Sequence, residues 1–209
     1  MDGTENTLPV TSFPVDKLEE RSVRLGGLQG ALEQLPPIGP NGPWLAGGAV
    51  RRLFCGEDPL ASDLDFFFRD GAQADQFVSG LEERKLKKAA SKSKSAANFV
   101  LELDGKAIPI QVVRIGYYAN LAAALDTFDF TVRQFGFDGS TFTASNLGLL
   151  DLARKRLVVH KITYAVASVR RMMKYGAQGF TVCNGTIEAI LRAVSADESL
   201  IGAEVPYVD

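Results

Sequence analysis

The 209-residue chain holds one histidine, one tryptophan and two cysteines. Two thiols, Cys55 and Cys183, are too few for a disulfide framework and fit free cysteines in a reducing compartment. With His160 as the one imidazole, no Cys/His zinc cluster can be assembled. No apolar run approaches the roughly 18 residues of a membrane span. The first fourteen residues are polar and acidic, which excludes a secretory signal and leads us to expect a soluble, cytoplasmic protein. An excess of basic charge is also missing: 23 Lys and Arg face 25 Asp and Glu, for a formal charge of -2. A globally basic nucleic-acid coat is thereby excluded, and a polyanion would have to meet a local patch. What is present is a 46% hydrophobic complement, enough for one core of ordinary domain size.

Residues 1–14 read as a flexible leader. Helical spacing runs through residues 15–35, weakened by Gly26 and Gly27, and is stopped by Pro36-Pro37. Residues 44–46 read as a strand entering Gly47-Gly48, with a helix over residues 49–55. A Phe-rich strand at residues 63–68 and a helix at 73–86 follow. The lysine- and serine-rich stretch 85–95 is either a phosphate-tracking segment or a solvated loop. Strands at 99–103 and 108–113 flank the turn Asp104-Gly105, then come a helix at 117–125 and a strand at 128–137. Helical periodicity fills the remainder, at 147–157, 166–178 and 187–194. The class is α/β, or α+β, with a small mixed sheet flanked by helices and a short helical C-terminal part.

Chemistry concentrates in residues 44–68, WLAGGAVRRLFCGEDPLASDLDFFF. Two glycines between strand and helix let the backbone approach an anion closely, although many tight turns use glycine for geometry alone. Arg51 and Arg52 follow in the first helical turn. Asp63 and Asp65, two apart on a strand, share a face. Paired carboxylates repel unless a divalent cation sits between them, and oxygen-only ligands suit Mg²⁺ or Mn²⁺. The alternative is the wet face of an edge strand, which the flanking phenylalanines oppose. A phosphate grip beside a metal grip is the layout that phosphoryl or nucleotidyl transfer needs.

These residues resemble the head domain of class II CCA-adding enzymes and bacterial poly(A) polymerases, of the polymerase β nucleotidyltransferase superfamily. The family pattern GGxVRDxLLG then DxD is similar to residues 47–56 followed by Asp63-Leu64-Asp65. RRDFTIN is similar to residues 127–133, TFDFTVR. The head-to-neck link GLxDLxxRxLR is similar to residues 147–158, and the neck helix ending in Gly-Phe to residues 170–180. The resemblance implies a nucleotidyltransferase head over residues 15–145 and a neck-like segment over 146–209. It implies that Asp63 and Asp65 hold Mg²⁺ or Mn²⁺, and that Gly47, Gly48, Ser62 and Arg51 meet the nucleotide. Asp129 would lie near the ribose, and Arg133 would reach a phosphate. The implied reaction moves a nucleoside monophosphate from an NTP to a hydroxyl, with an RNA 3′ end as the expected acceptor.

The departures are specific. The Asp of VRD is Arg52, both arginines of RRD are absent, and the expected third-acid strand carries Gln111. The base-reading EDxxR motif has no counterpart in residues 164–168, YAVAS. Two alternatives therefore stay open: a same-fold transferase acting on a protein or small molecule, and a catalytically silent nucleotide-binding module. Arg154, Lys155, Arg156, Arg170, Arg171 and Lys174 form either a basic surface toward the cleft or the wet side of a neck helix. Met172, Met173 and Cys55 read as buried filling, and His160 as a surface or capping residue.

Overall fold

The computed structural model describes residues 8–16, 23–90 and 96–199. Its centre is an eight-stranded mixed sheet, larger than the sequence suggested. The strands are β1 (Val10–Pro14), β2 (Trp44–Ala46), β3 (Leu64–Phe67), β4 (Lys87–Ala89), β5 (Ala96–Leu103), β6 (Lys106–Val113), β7 (Phe135–Phe137) and β8 (Thr141–Ser145), in the order β1-β8-β7-β2-β3-β6-β5-β4. One pair, β3 with β6, is parallel; the other neighbours run antiparallel.

Alternation along β2, β3 and β6 sends side chains to two apolar layers. Leu45, Leu64, Phe66, Ile110 and Val112 join the large core with Leu28 of α1 (Val23–Glu33) and Phe77 and Leu81 of α3 (Gly71–Glu83). Between them in sequence comes α2 (Gly48–Phe54), whose Ala49 and Val50 enter the same core. Trp44, Ala46, Phe67 and Val113 face the other way, onto α4 (Leu121–Leu125) and Phe128. Asp65 and Gln111 occupy the same alternation phase as this second, thinner layer. One strand face is thus sealed by helices while the other keeps room for a site.

The chain ends in α5 (Asn146–Ala153), the short parallel pair β9 (Arg156–Leu157) with β10 (Thr181–Val182), α6 (Ala165–Ala177) and α7 (Asn184–Ala196). A third cluster, Phe130, Val132, Leu157, Tyr175 and Phe180, fastens this part to the sheet. Ser145 caps α5 by accepting from the Gly148 amide at 2.8 Å, and Asp70 caps α3 through the Gln73 amide at 2.8 Å.

Several expectations need correction. Val10–Pro14, expected in the leader, is an edge strand on β8; residues 1–7 lie outside the described residues. The helix expected over 15–35 is described over Val23–Glu33, residues 17–22 being outside the description. Residues 128–137 are not one strand: a short 3-10 turn, Thr131–Arg133, breaks the run and leaves only β7 paired. The break exists because the Thr131 amide donates to Val158 O and its hydroxyl to the Asp151 carboxylate, so residues 129–131 bond toward the C-terminal part. The lysine stretch contributes the edge strand β4, where exposed Lys87 and Lys88 discourage further pairing. Residues 91–95 of it lie outside the description. Cys55, just past the end of α2, is exposed, and so is Met173 at 70% of its surface.

Candidate nucleotide site

Gly47 joins β2 to α2 with φ 95° and ψ -135°, a conformation that side chains with a Cβ avoid. Its amide donates to Phe135 O at 2.8 Å and its carbonyl accepts from the Arg51 amide at 3.0 Å, so the turn is pinned at both ends. A Cβ on Gly47 would lie 3.5 Å from Oδ2 of Asp65, 3.8 Å from Nη2 of Arg133 and 3.8 Å from the Phe128 ring. A Cβ on Gly48 would come within 2.7 Å of the Ser62 hydroxyl. Five sequence-nominated residues therefore converge: the two glycines, Ser62, Asp65 and Arg133. Asp63 immediately precedes β3, two residues before Asp65 on the chain, and is half-buried where Asp65 is buried.

Across the parallel pair, Asp65 registers with Gln111, and Gln111 registers with Asn98 of β5. Cross-strand partners share a face, so a carboxylate and two amides form a row about 4.8 Å apart per strand. The Gln111 Oε1 and Asn98 Oδ1 atoms are buried with no hydrogen-bond partner among the described residues. The Asp65 carboxylate beside an orphaned amide oxygen, with Asp63 two residues earlier, is a donor set that suits Mg²⁺ or Mn²⁺ when completed by water and ligand phosphates. No group of three acidic, His or Cys side chains that could hold a metal occurs among the described residues. The site is thus poorer in charge than a three-acid centre.

Beside this point opens a cavity of about 240 Å³, lined by Phe67, Phe128, Asp129, Arg133, Tyr164 and Arg171 among others. Asp129 is 8% exposed. Its Oδ2 accepts from Ser168 Oγ at 3.0 Å and from Arg171 Nη1 at 2.9 Å, both on α6. Its Oδ1 is buried with no partner among the described residues, an acceptor that a ligand donor would satisfy. The Arg133 guanidinium lies over the Phe128 ring, 5.4 Å from its centroid. Tyr118, also lining the cavity, has its phenol pushed above the ordinary value by burial, so it stays a neutral donor.

Arg51 departs from its expected place. It is 2% exposed, lies over the rings of Tyr175 and Phe180 at 5.3 and 5.5 Å, and donates to Gln178 Oε1 at 3.3 Å. The aromatic cluster draws the guanidinium away from the cavity and makes it a tie between α2 and the C-terminal helices. Arg52, standing where the resemblance expects an acid, pairs outward with Glu57 at 2.8 Å. His160 meets Asp126 at 3.0 Å, on the surface as expected. The sequence left Arg171 either on a basic surface toward the cleft or on the wet side of a neck helix, and gave Ser168 no role. Their three-residue spacing on one helical face was the signal available. Nothing in the sequence marked Asn98.

The comparisons with known sequences give the family, and those with solved structures give the fold. A sequence model of the Gabija anti-defense 2 family protein matches residues 33–155, more than half the chain. "Gabija anti-defense 2" of Bacillus phage SPbetaL7 is 26% identical over 141 residues, covering 66% of this chain and 34% of that protein. A Thermotoga maritima CCA-adding enzyme complexed with tRNA is similar in structure at a TM-score of 0.56 and 20% identity, covering 93% of this chain and 52% of that one. A CCA-adding enzyme in complex with CTP gives 0.59 at 19% identity, covering 93% and 51%. The Bacillus stearothermophilus CCA-adding enzyme in complex with CTP gives 0.54 at 18%, covering 83% and 44%. The chain thus spans about a third of its curated relative and about half of these enzymes, and identities this low establish the nucleotidyltransferase head fold alone.

Proposed function

The chain belongs to the Gabija anti-defense 2 family, and from that premise we propose that it is a nucleotidyltransferase head that binds an NTP and moves its nucleoside monophosphate to a hydroxyl. The observation that carries this reading is the convergence of Asp65, the Gly47 turn and Arg133, with Arg133 and Phe128 also lining the Asp129 cavity. Gly47 and Gly48, lacking side chains, leave the backbone open to a polyphosphate, with Ser62 beside them and Arg133 supplying a fixed positive charge. The buried Oδ1 of Asp129 accepts a hydroxyl or amine proton of the nucleoside, and Ser168 and Arg171 hold that carboxylate in aim. Asp63 and Asp65 would hold Mg²⁺ or Mn²⁺, with Gln111 Oε1 as a neutral third donor. The metal's chemistry there is to lower the acceptor hydroxyl's pKa and neutralise charge on the transferred phosphorus.

CCA-adding enzymes whose fold this chain shares form complexes with tRNA, CTP and ATP. An RNA 3′ end is accordingly the acceptor we propose, and counteracting the Gabija defence the setting in which the transfer is used. A second reading, a silent nucleotide-binding module, is favoured by one observation: Gln111 stands beside Asp65 where a third carboxylate would tighten the metal. Incubation with each α-labelled NTP, Mn²⁺, total RNA and cell protein separates the readings. Label on RNA, abolished in Asp63→Asn with Asp65→Asn, supports the first. NTP binding without label in any fraction supports the second. Label on protein would move the acceptor and keep the enzyme.

A further inference from the structure

Arg133 is 4% exposed and sits on two sides of the site at once. It lines the nucleotide cavity, and its Nη2 lies 3.8 Å from the point a Gly47 Cβ would occupy, while Asp65 Oδ2 lies 3.5 Å from the same point. A guanidinium cannot lose its proton at any pH a protein survives, so this charge is permanent. It also cannot swing into solvent without leaving the Phe128 ring that supports it and the buried pocket around it. A permanent positive charge this close to a carboxylate has effects of opposite sign on the two ligands. A divalent cation arriving alone at Asp63 and Asp65 is repelled, whereas a polyphosphate arriving in the cavity is attracted.

We infer that Arg133 makes metal binding at the carboxylates conditional on nucleotide. With the cavity empty, the guanidinium partly neutralises Asp65 and holds metal affinity down. When a polyphosphate takes up that charge, the carboxylates become available to the cation at their full strength. The two ligands are therefore coupled through one side chain, and by linkage the coupling is reciprocal. The small donor set enlarges the effect: two carboxylates and a neutral amide have little charge to spare against one arginine. The inference rests on the nucleotide reading of the cavity but adds an order of binding that the reading does not contain.

The test removes the charge and measures each ligand alone. Mn²⁺ binding is followed by electron paramagnetic resonance without nucleotide, and binding of ATP, GTP, CTP and UTP by calorimetry in EDTA. Arg133→Met should tighten Mn²⁺ about tenfold and weaken the bound nucleotide about tenfold, while Arg133→Lys keeps Mn²⁺ binding near wild type. A merely structural arginine would weaken both ligands together and lower the melting temperature. Should Arg133→Met not fold, Arg133→Gln, which keeps a polar head without charge, carries the same expectation. Wild-type binding of both ligands with no tightening of Mn²⁺ in either variant overturns the inference and leaves the nucleotide reading standing. Failure of the wild type to bind any of the four nucleotides, in EDTA and again with Mn²⁺ present, overturns the reading itself, and the inference with it.

Discussion

Replacing Gly47 by alanine tests whether the glycine turn serves the ligand or only the chain path. The residue holds φ 95° and ψ -135°, a region costing a non-glycine residue about 1–3 kcal/mol. The backbone cannot relax cheaply, because the Gly47 amide and carbonyl are bonded to Phe135 O and the Arg51 amide at 2.8 and 3.0 Å. The new methyl meets its nearest atoms, on Asp65, Arg133 and Phe128, at 3.5–3.8 Å, which is ordinary contact and adds little strain of its own. The expected loss is therefore about 2 kcal/mol from backbone alone, or about 4–8 °C in melting temperature for a chain of this size. What the methyl does add is bulk between the carboxylate, the guanidinium and the space a polyphosphate would enter, so nucleotide affinity should fall at least about tenfold. Gly105→Ala is the control: it sits at φ 75° in the β5–β6 turn with no atom within 4 Å of its Cβ position. It should melt lower while binding nucleotide as the wild type does. Thermal denaturation and calorimetric titration of both variants decide the matter. Gly47→Ala that melts low yet binds nucleotide normally would show that the turn is geometry only, and the proposed phosphate path would be wrong.

Two further outcomes are expected. Arg171→Met leaves the buried Asp129 carboxylate with Ser168 as its remaining α6 partner, and breaking such a buried pair costs about 3–5 kcal/mol, or about 10 °C in melting temperature. Adding Asp129→Asn to it should recover much of the loss, and a single variant that melts like wild type would refute the clamp. The Tyr118 phenol, raised by burial, favours the protonated form in the folded state. Its effect on stability is nil well below the ordinary phenol value near 10 and becomes a loss as pH climbs above it. In a titration by phenolate absorbance, Tyr118→Phe should remove a late ionisation step.

The parts of the site that lie close together in sequence could be read there. Gly47-Gly48 and the Asp63/Asp65 pair announce themselves because strand and turn chemistry are local: a period of two places both acids on one phase, and only glycine accepts the turn. The phenylalanine-rich composition of residues 63–68 likewise announced a central strand. Misreadings arose where long-range bonds overrule local preference. Residues 128–137 look like a strand by their aromatics, yet Thr131 bonds to Val158 and Asp151, and the run is broken. The polar Val10–Pro14 segment has no core signature, because an edge strand needs only backbone pairing, here with β8.

Arg51 and Arg133 mark the boundary between the two kinds of knowledge. Its place after the glycine turn nominated Arg51 as a phosphate contact, and the resemblance of residues 127–133 to the family motif nominated Arg133. Which of the two faces the cavity depends on the rings each one meets: Tyr175 and Phe180, distant in sequence, capture Arg51, while Phe128, five residues away, supports Arg133 beside Asp65. Local covalent geometry was enough to identify the types of group in the site and the strand that carries the acids. The direction of each long side chain, and with it the charge around Asp65, was set by packing between segments that only folding brings into contact.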